Sequence, residues 1–60
     1  MEELLTEKEL AGLLKVSART LRAWRDAGEG PPALKIGRRA IRYRRADVEE
    51  WLREQRDRDR

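Results

Sequence analysis

A mainly α fold carrying one β-hairpin is what this 60-residue sequence predicts. Three observations carry that reading. Two helix-start signatures follow one another within residues 5–21, a Gly/Pro break at 28–32 ends the helical pattern, and period-two alternation then runs around a Gly-Arg-Arg-Ala loop before a last helical stripe begins.

The first start is Thr6 with Glu9. This is the spacing of a capping box, with Leu5 and Leu10 at the positions of a hydrophobic staple. A helix is predicted over about residues 7–14, with Leu10, Leu13 and Leu14 as its apolar stripe. Gly12 inside it costs about 1 kcal/mol relative to Ala. Lys15-Val16-Ser17 leads straight into a second start, where Ser17 is a good N-cap and Val16 with Leu21 repeats the staple. The second helix is predicted over about residues 18–27, stopping at Gly28, which suits the left-handed C′ position. Two capped helices joined by so short a turn form a helix-turn-helix. Within that turn Lys15 costs roughly 1 kcal/mol if it must be left-handed.

The stretch Gly28-Glu29-Gly30-Pro31-Pro32 breaks regular structure, because glycine permits turns and proline withholds donors. Beyond it Leu34, Ile36, Ile41 and Tyr43 alternate with Lys35, Arg42 and Arg44. The expected hairpin buries those four apolar residues on one face and shows Lys35, Arg38, Arg39, Arg42 and Arg44 on the outer face and tip. A third helix is expected from near Asp47, with Val48, Trp51 and Leu52 as its stripe. The domain is expected over residues 1–54, leaving 55–60 as a charged, frayed tail.

Composition narrows the function classes. A chain of this length makes one domain, hides only about 60% of its unfolded surface and has no room for a substrate cavity of ordinary volume. Charged residues make up 45% of it, but the apolar ones are periodic, which favours folding over disorder. Without cysteine or histidine there are no disulfides and no soft or imidazole metal ligands, and no cofactor is expected. The hydroxyls of Thr6, Ser17 and Thr20 then lack an evident base, Glu49 and Glu50 point to different helix faces, and no glycine-rich phosphate loop occurs, so no enzymatic activity is expected. No signal peptide or membrane span is visible, and a cytoplasmic location is expected.

The net charge of +3 hides a strong layout. Residues 1–14 sum to −3, residues 15–45 to +8 and residues 46–60 to −2. A basic block between two acidic ends points to a polyanion. Within the block, Arg19, Arg22 and Arg25 recur every third residue of the second helix. Taking Arg19 as zero on the helical wheel, Arg22 lies about 60° to one side, Ala23 about 40° to the other and Asp26 about 20° away. Leu21 and Trp24 fall on the opposite side.

The segments "LLTEKELAGLLKVSARTLRAW" and "GPPALKIGRRAIRYRRADVEEWL", in this order and spacing, resemble the small winged helix-turn-helix proteins of the excisionase and AlpA type, within the MerR-like group. The resemblance covers about residues 3–53. It implies a second helix that enters the major groove and a hairpin that acts as a wing on the flanking backbone or minor groove.

Arginine's forked donors match guanine O6 and N7 or two phosphate oxygens, which makes Arg19 and Arg22 the base-reading candidates, with Thr20 and Ala23 small enough for close approach. Ser17 at the helix start, and Lys35, Arg38, Arg39, Arg42 and Arg44 on the hairpin, are the phosphate candidates. Arg25 lies beside the buried side, where its stem can cover Leu21 and its head can meet a phosphate or an acid. Asp26, four residues after Arg22, is expected to hold that guanidinium. Trp24 and Trp51 are read as core, and Tyr43 as intermediate, with its ring on the buried side and its hydroxyl open to either a buried place or a phosphate contact.

The expected function is sequence-specific binding of double-stranded DNA as an excisionase that assembles on DNA and bends it for a site-specific recombinase. A small AlpA- or MerR-like transcription regulator is the alternative on the same chemistry. A protein-interaction module docking an acidic partner is the alternative of another class. No small-molecule effector and no membrane partner are expected. The tail has no apolar stripe, and a monomer is expected without DNA, with copies meeting head to tail on direct repeats.

Overall fold

The computed structural model describes residues 3–58. In chain order it forms β1 (Leu4–Thr6), α1 (Glu7–Leu14), α2 (Ala18–Asp26), β2 (Leu34–Ile36), β3 (Ala40–Arg44) and α3 (Arg45–Arg58). The architecture is the expected winged helix-turn-helix. The hairpin is one strand wider than the alternation predicts, because β1 pairs with β3 to give an antiparallel sheet of order β1-β3-β2. Leu4-Leu5-Thr6 is too short to announce a strand. It becomes one because β3 offers a free edge to which it can bond, with Leu5 opposite Tyr43.

Both helix starts form as their spacing dictates. Thr6 Oγ1 accepts from the Glu9 N–H at 3.0 Å, and Glu9 Oε1 accepts from the Thr6 N–H at 2.8 Å. Those two bonds to Thr6, with the positive charge of Arg42 adding, hold the Glu9 carboxyl below its ordinary value. Ser17 Oγ accepts from the Thr20 N–H at 3.0 Å. Between the helices Lys15 is left-handed at φ 58°, and its N–H donates to the Ala11 carbonyl. α2 ends one residue earlier than expected, at Asp26, before Gly28 at φ +75°. Gly30, at φ +80°, lets the backbone approach Trp24, since a Cβ there would lie 3.2 Å from the Trp24 Cβ.

The core is made of Leu5, Leu10, Ala11, Leu21, Tyr43 and Val48, with Leu14, Val16, Ala18, Trp24, Ala33 and Ile41 packed around it. Only one side of each helix is covered. Leu13 and Leu52, which the periodicity assigns to buried stripes, are exposed. Trp24 and Trp51 are half-buried rather than core residues, with ring centroids 5.8 Å apart and planes tilted by 43°. They close the edge where the α2–β2 connection meets α3.

The hairpin corrects the expected faces. Only Gly37-Arg38-Arg39 separates the strands, so Ile36 pairs with Ala40, Lys35 with Ile41 and Leu34 with Arg42. A four-residue loop would have paired Ile36 with Ile41. A shift of one residue moves every side chain of β2 to the other face. Leu34 and Ile36 therefore share the outer face with Arg42 and Arg44 and are 37% and 44% exposed, while Lys35 shares the face of Ile41 and Tyr43.

α3 begins at Arg45, two residues before Asp47, because the Arg45 N–H donates to the Glu3 carbonyl at 3.1 Å and the Arg45 guanidinium reaches Glu3 at 3.3 Å and Glu49 at 3.7 Å. It continues past Glu54 to Arg58, where the sequence alone suggests fraying. Opposite charges four residues apart, Glu49/Arg53, Arg53/Asp57 and Glu54/Arg58, support a solvated helix there. Residues 59–60 of the expected tail lie outside the described residues.

Candidate nucleic-acid interface

α2 buries Leu21 and turns the opposite side outward. Arg19, Arg22 and Ala23 are exposed, and Thr20 is half-buried. The Thr20 hydroxyl oxygen accepts a hydrogen bond from the Ser17 hydroxyl at 2.9 Å. The N-cap of α2 thereby occupies both the donor and one acceptor position of Ser17, whose residue remains exposed.

Arg22 is held, but not by Asp26. Its Nη2 lies 3.2 Å from Glu7 Oε1 on α1. Arg25 places its Nη1 3.0 Å from Glu7 Oε2, and Asp26 reaches only the Nε of Arg25, at 4.0 Å. The reason is packing: Leu10 and Leu21 meet in the core and bring the first turn of α1 beside α2, where Glu7 outcompetes the solvated Asp26. No signal within α2 could have revealed this partner, because Glu7 and Arg22 are fifteen residues apart.

Arg25 is 29% exposed at its side chain. Between its structural and phosphate-binding readings, the geometry gives it an acid. Its guanidinium also lies near Tyr43, which is 1% exposed and has a buried hydroxyl with no hydrogen-bond partner among the described residues. Of the two readings open for Tyr43, the burial gives the buried one. Burial also pushes the Tyr43 hydroxyl above the ordinary phenol value, with the Arg25 charge opposing.

On the hairpin, Arg38 and Arg39 stand exposed in the turn, and Arg44 is exposed on β3. Arg42 is half-buried and donates to the Ile41 carbonyl at 2.8 Å. Lys35 is exposed but on the opposite sheet face from Arg42 and Arg44, so the five hairpin cations do not form the single surface that alternation suggests. Between α1, α2 and the hairpin lies a cleft of about 430 Å³, lined by Thr6, Glu7, Lys8, Arg25, Arg39 and Arg42 among others. It joins the second helix to the hairpin by a mostly cationic floor. Lys8 was not among the sequence candidates, since its neighbours on α1 are acidic. Among the described residues no cluster of side chains could hold a metal ion, and no helix is long and apolar enough to cross a membrane.

Comparison with known proteins supports the helix-turn-helix. A transcriptional repressor, DcmR of Methylorubrum extorquens, is 48% identical over 48 residues, which cover 78% of this chain and 18% of the repressor. The chain therefore spans less than a fifth of that relative's length. No solved structure matches it significantly. A family model described as a helix-turn-helix domain matches residues 4–56, and the chain belongs to that family, of the excisionase and AlpA type.

Proposed function

We propose that this helix-turn-helix domain binds double-stranded DNA sequence-specifically, with α2 in the major groove and the β2–β3 hairpin on the flanking backbone or minor groove. The observation that carries the reading is the exposed Arg19, Arg22 and Ala23 surface of α2, opposite buried Leu21, with Arg22 paired to the Glu7 that lines a cleft beside Lys8, Arg25, Arg39 and Arg42. Arg19 and Arg22 are the base readers. Arg38, Arg39, Arg42, Arg44 and Lys8 supply phosphate attraction, Ser17 fixes the end of the helix, and Lys35 contributes from the other sheet face.

The biological role follows the relative: DcmR is a transcriptional repressor, which supports regulation of transcription. The excisionase role has its support in the family type. The two differ in assembly. A recombination accessory factor assembles head to tail on direct repeats and bends them, for which the acidic amino-terminal segment or α3 of one copy and the basic hairpin of the next provide opposite charges.

Selection of bound sites from a random duplex pool tests the reading. A recovered motif is expected, with binding that weakens as salt rises. Direct repeats bound in cooperative steps with measurable bending support the excisionase role, whereas a single or inverted site on straight DNA supports regulation alone. Duplex DNA left unshifted at low salt overturns the proposal in favour of an acidic protein partner.

A further inference from the structure

Glu7 sits in the first turn of α1, yet its carboxylate ends among the arginines of α2. Each oxygen takes one guanidinium, Oε1 that of Arg22 at 3.2 Å and Oε2 that of Arg25 at 3.0 Å. The Glu7 side chain is 20% exposed, against 59% for Arg22. The same residue lines the cleft beside Lys8, Arg39 and Arg42.

Stability does not explain the Arg22 half of the arrangement. An ion pair whose arginine is 59% exposed contributes little to folding, because water already solvates that charge and long side chains lose freedom in pairing, whereas the Glu7–Arg25 pair, at 20% and 29% exposure, is partly buried. Two consequences for binding do follow. The Arg22 head is fixed before DNA arrives, so less rotamer freedom is lost when it meets a base edge, and its high exposure leaves the rest of its fork open. A negative charge within the cationic surface also weakens attraction to every phosphate, whatever the sequence.

We propose that Glu7 is a positioning residue that sets specificity: it pre-orders Arg22 and Arg25 for the preferred site and suppresses binding to DNA in general. The inference rests on the DNA-reading function proposed above, and it concerns a residue on α1 that touches no base itself.

The test compares the full chain with Glu7→Gln and Glu7→Asp on two duplexes of equal length, one recovered from the random pool and one of scrambled sequence, at several salt concentrations. Glutamine removes the charge. Aspartate keeps it but withdraws the carboxylate by one methylene from both guanidinium groups. Glu7→Gln is expected to bind scrambled DNA about three- to tenfold more tightly, with a salt dependence steeper by about one counterion. Its preference for the recovered site falls at least about fivefold, the scale of one base contact. Glu7→Asp is expected to lose preference similarly while its scrambled-DNA affinity stays within about twofold and its salt slope is unchanged.

Thermal melts of both variants are expected close to that of the parent chain, and Glu7→Asp carries the test should Glu7→Gln unfold. Unchanged preference in the folded variants, or equal weakening on both duplexes, overturns the role of Glu7 alone. A parent chain that does not bind or discriminate overturns the DNA-reading function and this inference with it.

Discussion

α2 and the β2–β3 hairpin are both rich in arginine, but they hold it differently. In α2, Arg22 and Arg25 end on one carboxylate brought in from α1. In the hairpin turn, Arg38 and Arg39 stand exposed with no acid bonded to them among the described residues, and Arg42 on β3 donates to the carbonyl of its neighbour while its charge acts on Glu9. The difference separates two kinds of recognition. Base edges must be met at fixed geometry, which favours guanidinium groups ordered in advance, whereas phosphates form a continuous anionic track that mobile cations can follow. The packing beneath differs in the same direction, since α2 is anchored by fully buried Leu21 while β2 has both apolar side chains exposed.

The most drastic way to break this comparison is through the packing. Leu21→Ala is expected to cost about 2–5 kcal/mol and to unfold so small a domain, whereas Ile36→Ala on the hairpin should cost under about 1 kcal/mol. Urea or thermal denaturation followed by circular dichroism measures both. Equal losses would show that the outer face of the sheet is covered after all.

A smaller effect tests the division of labour directly. Arg19→Ala or Arg22→Ala is expected to lose about 1–3 kcal/mol on the preferred duplex and to relax selection at one or two base positions. Arg38→Ala with Arg39→Ala should instead weaken all sequences alike and reduce the salt slope by about two. Titrations on preferred and random duplexes distinguish these patterns, and a uniform loss from both sets would remove the distinction between helix and hairpin.

Trp51→Ala tests the junction between α2 and α3. The half-buried indole and its tilted contact with Trp24 are expected to contribute about 1–2 kcal/mol, less than a fully buried aromatic would. A larger loss in a denaturation experiment would move Trp51 into the core.

The smallest expected effect lies beneath Arg25. The Tyr43 hydroxyl is raised by burial, so the folded state favours the protonated phenol and the stability this lends is present below the ordinary phenol range. It is lost as pH rises through the folded value. Tyr43→Phe removes an unpartnered buried hydroxyl and is expected to leave stability near neutral pH within about 1 kcal/mol of the parent. The variant should also lose less stability than the parent in alkaline solution, and parallel pH profiles of the two melts would exclude Tyr43 as the titrating group.

Much of the molecule was legible in the sequence because much of it is local. The Thr6/Glu9 box, the Ser17 cap, the Lys15 turn and the Gly28 stop each depend on groups within about one helical turn, so residue type and spacing determine them. The basic hairpin and the outward face of α2 follow from period alone. Tertiary structure decided which side of β2 is buried, because that depends on whether three or four residues make the loop, and a single residue reverses every face. It also made a strand of Leu4–Thr6, through an edge supplied by β3 some forty residues later, and it left Leu13, Leu52 and the two tryptophans incompletely covered, because so small a core has only one side to offer each helix. Glu7 is the sharpest case. Its charge is written in the sequence, but its partners lie fifteen and eighteen residues away, and only the docking of α1 on α2 brings them within reach.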